Sequence, residues 1–280
     1  MVDLPQPRFR LPHWGWFLFA TVALAIAGIV LSVWLPYHRE QHVAQKIKSW
    51  GGGVGMETRG PDWLRQLLGE DGMSEFRVFD RVTSVEFDGS TAISDAEIAH
   101  LSGLTNLRRL YLSGTAVTDV GLANLSRLPN LEELCLYDTP LTDNGAAHLS
   151  RSTSLKYLGL DGTGLSDAGI VHLSQLVNLK GIRLEGTAVT DVGLAQLSRS
   201  ACIRDIGLGN TAVTDAGLGH LSRLTSLEDL DLHDTAVTDA GLGHLTGMTK
   251  LRHLYLYNTG VTDEGKEELR KSLPDCDTGW

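Results

Sequence analysis

Residues 107–128 read LRRLYLSGTAVTDVGLANLSRL, and the spacing of the leucines in this stretch decides the fold. Leu110 and Leu112 alternate with Tyr111, a period of two, which predicts a short strand with one face buried. Leu122, Leu125 and Leu128 then recur every third residue, which predicts a helix with a single apolar stripe. Between the two runs stand Thr118 and Asp119. Either is placed to cap the helix, with an oxygen toward its free N–H groups and a negative charge at the positive end of its dipole.

The same pattern returns along the chain. Asp95, Asp119, Asp143, Asp167, Asp191, Asp215, Asp239 and Asp263 follow one another at intervals of 24 residues without an insertion. Thr91, Thr115, Thr139, Thr163, Thr187, Thr211, Thr235 and Thr259 form a second column in the same register. One strand and one short helix cannot bury their own apolar faces, so the units must stack, each covering the next. The fold class expected is α/β: a solenoid with a parallel sheet on the concave side and helices on the convex side, preceded by one transmembrane helix.

The segment Leu107–Val117 resembles the leucine-rich-repeat signature L-x-x-L-x-L-x-x-N-x-L, with Thr115 where that family usually carries Asn. The resemblance implies that this column ladders to neighbouring turns, and a Thr hydroxyl offers fewer bonds for it than an amide. The Thr-Asp-x-Gly-Leu half is similar to the subtype of F-box-associated and many bacterial repeat proteins, and the likeness covers residues 82–272. Nothing here looks like an F-box. The N-terminal part resembles a recurrent bacterial arrangement: a membrane helix, a short helix at His38–Trp50, a glycine-rich stretch and then repeats, in proteins mostly without assigned function.

Trp14 to Leu35 is a run of 22 residues without a charge. As a helix it spans about 33 Å, enough for a hydrocarbon core of about 30 Å. Trp14, Trp16, Trp34 and Tyr37 stand at its ends, where amphipathic rings favour headgroups. A cleaved signal peptide would have an apolar run of about 7–15 residues and a small-x-small site after it. Neither is present before Pro36, so the expectation is a retained single-pass anchor. The basic flanks nearly tie (Arg8 and Arg10 against Arg39, Lys46 and Lys48), and the short basic tail favours a repeat domain outside the cytoplasm.

The expected segments are a basic tail (1–13), the transmembrane helix (14–35) and a juxtamembrane helix with a Gly-rich linker (36–59). An N-terminal cap (60–81), the solenoid (82–263) and a C-terminal capping helix with a tail (264–280) follow. Trp63, Leu64, Leu67, Leu68, Phe76 and Val78 are the expected cover for the first strand, Val82–Phe87. Charged residues around Leu269 and Leu273 make the last helix polar, as a terminal cap must be. Gly51–Gly55 lacks the Gly-Lys-Ser/Thr ending of a phosphate loop, and reads as a flexible stretch or a short strand.

Charge narrows the partners. Residues 60–280 hold 18 Lys/Arg and 31 Asp/Glu, so this acidic body repels phosphate backbones and no nucleic acid is expected. Cys135, Cys202 and Cys276 fit neither a disulfide framework nor a zinc pattern. His100, His148, His172, His220 and His244 share one position that points to solvent and also accepts Asn, Gln and Glu, which argues against a metal. The Asp column offers one carboxylate per turn, too few for calcium. No nucleophile elbow, HExxH or paired-Cys motif occurs, so neither catalytic residues nor a cofactor is expected and the chain is not read as an enzyme.

What remains is a surface. The outward strand residues include two aromatic groups, Tyr111–Tyr137–Tyr157 and His233–His253–Tyr255–Tyr257, with Arg183 and Asp231 between them. Tyrosine gives large, stiff contact area, and equally it simply favours strands. Gly159, Gly181, Gly207 and Gly209 either bare the backbone to a ligand or relieve crowding. The function expected is a non-enzymatic interaction module at a membrane, binding a protein or peptide along the concave face. The alternative is a structural or surface-polymer-binding repeat without a discrete partner.

Overall fold

A computed structural model describes residues 13–73, 75–87, 89 and 93–279. Thr91, residues 1–12 and the side chains of Trp14, Trp16 and Trp63, all used in the sequence reading, lie outside the described residues. The chain divides into two compact units. One holds residues up to His42 and Glu57–Arg81; the other holds Val43–Met56 and the residues from Val82 onward.

Starting in the first unit, α1 (His13–Ile29) runs through a wider π turn (Val30–Trp34) into α2 (Leu35–Ser49), whose residues from Val43 belong to the second. Phe17–Ser49 is thus one continuous helix of 33 residues, long and apolar enough to cross a membrane, with its most apolar window unburied. A kinked helix, α3 (Asp62–Met73), follows in the first unit, broken where Gly69 takes a positive φ of 71°. Arg81 is nearly buried there, its guanidinium 3.9 Å from the Glu40 carboxylate and donating to the Val78 and Asp80 carbonyls at 3.0 Å.

The second unit is the solenoid. Ten strands, β1 (Gly53–Thr58), β2 (Asp80–Glu86), β3 (Arg109–Tyr111) through β9 (His253–Tyr255) and β10 (Asp277–Gly279), form one sheet in chain order. From β2 onward every pairing is parallel. Leu110, Leu134, Leu158, Ile182, Ile206, Leu230 and Leu254 stack in one buried row. Ser84 pairs with Arg109, one residue more than the 24 that separate all later partners, so the first turn is longer by one. Between strands lie short helices, α4 (Asp95–Leu101) to α10 (Asp239–Leu242), whose inward Ile and Leu side chains complete the core.

The Asp and Thr columns divide the labour differently from the sequence expectation. Thr118 is the helix cap, accepting from the Val120 N–H at 3.3 Å. Asp119 reaches forward to the next turn, where Thr142 donates its N–H to Oδ1 and its hydroxyl to Oδ2. This link recurs seven times among the described residues, at 2.7–2.9 Å for the amide and 2.6–2.7 Å for the hydroxyl. The Thr115 column does not ladder between turns. From Thr115 to Thr259 each hydroxyl donates to the carbonyl three residues earlier in its own turn, at 2.6–2.8 Å. A hydroxyl is too short to replace the Asn amide, so the carboxylates stitch the turns instead.

This link explains the glycine of the Thr-Asp-x-Gly motif. A Cβ on Gly121, Gly145, Gly169 or Gly193 would lie 2.5 Å from the Oδ1 of the preceding turn's Asp. The first helix has no such Asp before it, and there the position is Glu97. Its carboxylate accepts from Ser94 N–H (2.9 Å) and hydroxyl (2.6 Å), a capping box that replaces the missing link and holds its acid below the usual carboxylate range. A further column, Gly114, Asp138, Gly162, Gly186, Asn210, Asp234 and Asn258, turns each strand's exit with φ of 50–67°. Gly, Asn and Asp tolerate that region best.

Both ends of the sheet differ from the expectation. The repeat core is continued by Ala44 and Ile47, with Val43, Trp50, Val54 and Met56 packed against it. Leu67, Leu68 and Phe76, expected in that role, are exposed. Gly53–Thr58 is a strand, the second of the two readings of the glycine-rich stretch, and Gly52 is a glycine because a Cβ there would meet Phe87 Cδ1 at 2.7 Å. At the far end α11 (Asp263–Ser272) leads into β10, which pairs with β9 where a tail was expected, and Cys276 is buried beside it.

Candidate functional site

The sheet face away from the helices shows three rows of side chains per turn. Strand register puts Arg109, Glu133, Tyr157, Gly181, Asp205, Asp229 and His253 in one row, and Tyr111, Cys135, Gly159, Arg183, Gly207, Asp231 and Tyr255 in the second. Two residues further on in each turn stand Ser113, Tyr137, Asp161, Glu185, Gly209, His233 and Tyr257. The alternation that sends the central Leu into the core sends these outward.

Seven of the nine residues singled out in the sequence fall into three places. Tyr137, Tyr157 and Arg183 come together, lining a hollow of ≈ 300 Å³ with Glu133, Cys135, Gly159, Gly181 and Asp205. Tyr111 is not part of it. Its hydroxyl donates to Glu133 at 2.9 Å, and burial followed by that bond pushes it up to about 12. Asp231 and His233 form the second place, and Tyr255 and Tyr257 the third, with rings stacked at 6.3 Å and 19°. His253 separates from them and bonds Asp229.

The glycines are not bare backbone. A Cβ on Gly159 would come within 2.6 Å of Tyr137 Cζ, and one on Gly181 within 2.8 Å of Tyr157 Cδ1. Gly207 would meet Arg183 Cδ at 2.6 Å, and Gly209 lies under the His233 ring. Each glycine is the seat of a long side chain from an adjoining turn. Seating Tyr137 and Tyr157 this way leaves the hollow walled by two rings, with Glu133 of strand Glu133–Cys135 on one side and Asp205 of strand Asp205–Gly207 on the other.

Carboxylates outnumber cations on this face. Arg183 sits 3.6 Å from Asp205 and 3.9 Å from Asp231, and His233 shares a 2.8 Å bond with Asp231 while its other nitrogen is 3.3 Å from Glu185. The Asp231 bond holds His233 above its ordinary pKa. Burial pushes the Asp161 carboxyl up to about 6, against the Glu185 N–H that donates to it at 2.8 Å. Burial likewise raises Asp205, opposed by Arg183, as well as the Tyr137 hydroxyl and the Cys135 thiol. Glu133, Asp205, Glu185 and Asp161 were legible only as outward positions. Their grouping arises from neighbours 22 to 48 residues apart in sequence. Among the described residues no three His, Cys, Asp or Glu stand together as a metal would need.

A family model described as Leucine Rich repeats (2 copies) matches residues 93–146. The crystal structure of internalin C2 from Listeria monocytogenes is similar in fold, at 20% identity over 78% of this chain and 90% of that one, with a TM-score of 0.59. A second internalin from the same organism, inlF, gives 20% identity over 65% and 69%, with a TM-score of 0.41. No curated protein matches the chain.

Proposed function

We propose, from the premise that this chain is a leucine-rich-repeat protein, that it is a non-enzymatic interaction module. It is held at a membrane by the helix within Phe17–Ser49, with its repeats outside the cytoplasm, and it binds a protein or peptide along the open face of the sheet. The hollow between Tyr137 and Tyr157 carries this reading. It offers two rings, a guanidinium and two carboxylates within reach of one inserted side chain, on a rigid sheet that loses little freedom on binding. Tyr111, Asp231, His233, His253, Tyr255 and Tyr257 extend the same face on either side.

The test is photo-cross-linking in the native cell from the full chain. A benzophenone side chain at Tyr157 or Tyr257 should capture a discrete protein partner, and one at Val192, on the helical side and 63% exposed, should not. Equal capture from both faces, or none from the open face, removes the binding surface. A Val192→Cys change in a Cys202→Ser background puts a thiol on the helical side, where the native residue is 63% exposed, so a membrane-impermeant maleimide reports the side. Labelling of that thiol in intact cells is expected, and labelling only after lysis would place the repeats inside.

A further inference from the structure

Charge on the solenoid is partitioned by the direction of the chain. All strands from β2 onward are parallel, so every helix-to-strand connection falls along one edge of the sheet and every strand-to-helix connection along the other. The seven connections 102–108, 126–132, 150–156, 174–180, 198–204, 222–228 and 246–252 hold ten Lys/Arg and two Asp/Glu. The seven opposite ones, from 112–119 to 256–263, hold no Lys/Arg and eleven Asp/Glu. An overall acidic protein thus carries one basic edge.

Helix dipoles account for part of this. Arg127, Arg151, Arg199 and Arg223 each follow a helix C-cap Ser, where a cation is favoured. The dipole does not reach Lys156, Lys180, Lys250 and Arg252, which come just before strands, and it does not empty the edge of acids. Glu132 bridges Arg108 (2.6 Å) and Lys156 (2.8 Å), and Glu228 meets Arg204 at 3.2 Å. No acidic partner is recorded for the four arginines, Lys180 or Lys250 among the described residues, and all but the half-buried Lys180 are exposed. The arginines occupy one register position, so they form a row with a single gap at Gln175, spaced by the roughly 5 Å between turns.

Chain length restricts what such a row meets first. A bilayer core takes about 20 residues of helix, so a span beginning near Phe17 ends near Pro36. The repeat unit starts at Val43, within about 25 Å of chain from that point even if the link were fully extended. We propose that the basic edge docks on anionic lipid headgroups, the arginine row and Lys250 against phosphates and the acidic edge turned away. The open face then stands side-on to the bilayer, accessible to a partner. This rests on the membrane reading of Phe17–Ser49.

The full chain is reconstituted into vesicles of phosphatidylcholine alone or with about 30% phosphatidylglycerol, at about 50 mM salt. Acylation of Lys180 and Lys250 is then followed by mass spectrometry, with an added Val192→Lys on the helical side, a position 63% exposed, as internal reference. Docking predicts acylation slowed about five-fold on the anionic vesicles and restored at about 0.5 M salt, where screening shortens to a few ångström. Replacing the four arginines by Ser should abolish the protection. A chain that fails to float with vesicles overturns the anchor, and docking with it. A chain that floats but shows equal acylation on both compositions overturns docking alone. Protection on both compositions that grows with protein density would assign the edge to a neighbouring copy's acidic side, and also overturns lipid docking.

Discussion

Where strands lead into helices, successive turns meet the same need with nearly the same residues: Thr or Ser caps, Asp links forward, Gly makes room. On the open face a few ångström away no two turns carry the same three side chains. Both regions use glycine because a neighbour occupies the place of its Cβ. On the edge the occupant is always the same carboxylate, so the glycine is periodic. On the face it is Tyr137, Tyr157, Arg183 or His233 in turn, so the glycine is sporadic. The repeated contact builds the coil, and the unrepeated one is free to carry recognition.

The sharpest way to break this comparison is to fill the shared space on the edge. Gly193→Ala puts a methyl 2.5 Å from Asp167 Oδ1 and should displace a carboxylate that accepts from Thr190 and Gly193. A loss of about 2–3 kcal/mol is expected in denaturant unfolding. In an Asp167→Ala background the same change should cost far less, since Ala is otherwise the better helix residue. Equal costs in both backgrounds would refute the shared-space account.

Next, Asp191→Asn replaces one acceptor facing Thr214 with a donor and should cost about 1–2 kcal/mol. Asp263 occupies the same column in α11 but makes no such forward link among the described residues, and its side chain is 77% exposed. Asp263→Asn should change stability by no more than about 0.5 kcal/mol. Matching losses at the two sites would mean that the carboxylates act on their own helices rather than on the next turn.

A smaller effect lies at the strand exits. Asn210→Ala, at a φ of 50°, should cost about 1 kcal/mol, and Asn210→Gly almost nothing. Urea midpoints of the two variants suffice to check it.

The smallest effect separates the face from the edge by pH. Asp161 has a folded pKa of about 6, raised by burial, so its ionisation opposes folding above that pH and the penalty disappears as pH falls toward the unfolded value. Asp161→Asn should therefore raise the melting temperature slightly at pH 7.5, with the gain shrinking to nothing near pH 4. His233 titrates with the opposite charge but in the same direction. Its raised pKa adds stability fully present below its unfolded value and lost as pH rises through its folded one. His233→Gln should accordingly lose most at pH 5.5, and a loss that stays constant with pH would remove Asp231 as the cause.

Much of the coil was legible in residues 107–128. The strand and helix halves, the buried leucines, the capping threonine and the apolar N-terminal run all follow from periods of two and three, or from composition. The turn column from Gly114 to Asn258 was equally visible and went unread, because Gly, Asp and Asn share a conformation rather than a chemistry. The N-terminal cover of the core comes from other residues than expected. Leu67 and Phe76 are as apolar as Ile47 and Trp50, and only packing tells which pair meets the core.

Alone, the sequence determined the repeat, its strand-and-helix content and the outward positions, because those depend on neighbours within a few residues along the chain. Tertiary structure decided what each polar residue touches. Asp119 finds Thr142 after 23 residues, Tyr137 lies on Gly159 after 22, and Arg183 faces Asp205 after 22. Partners at that separation meet only once parallel strands hold successive turns in register, so the hollow, the inter-turn links and the two charged edges are properties of the stacked coil.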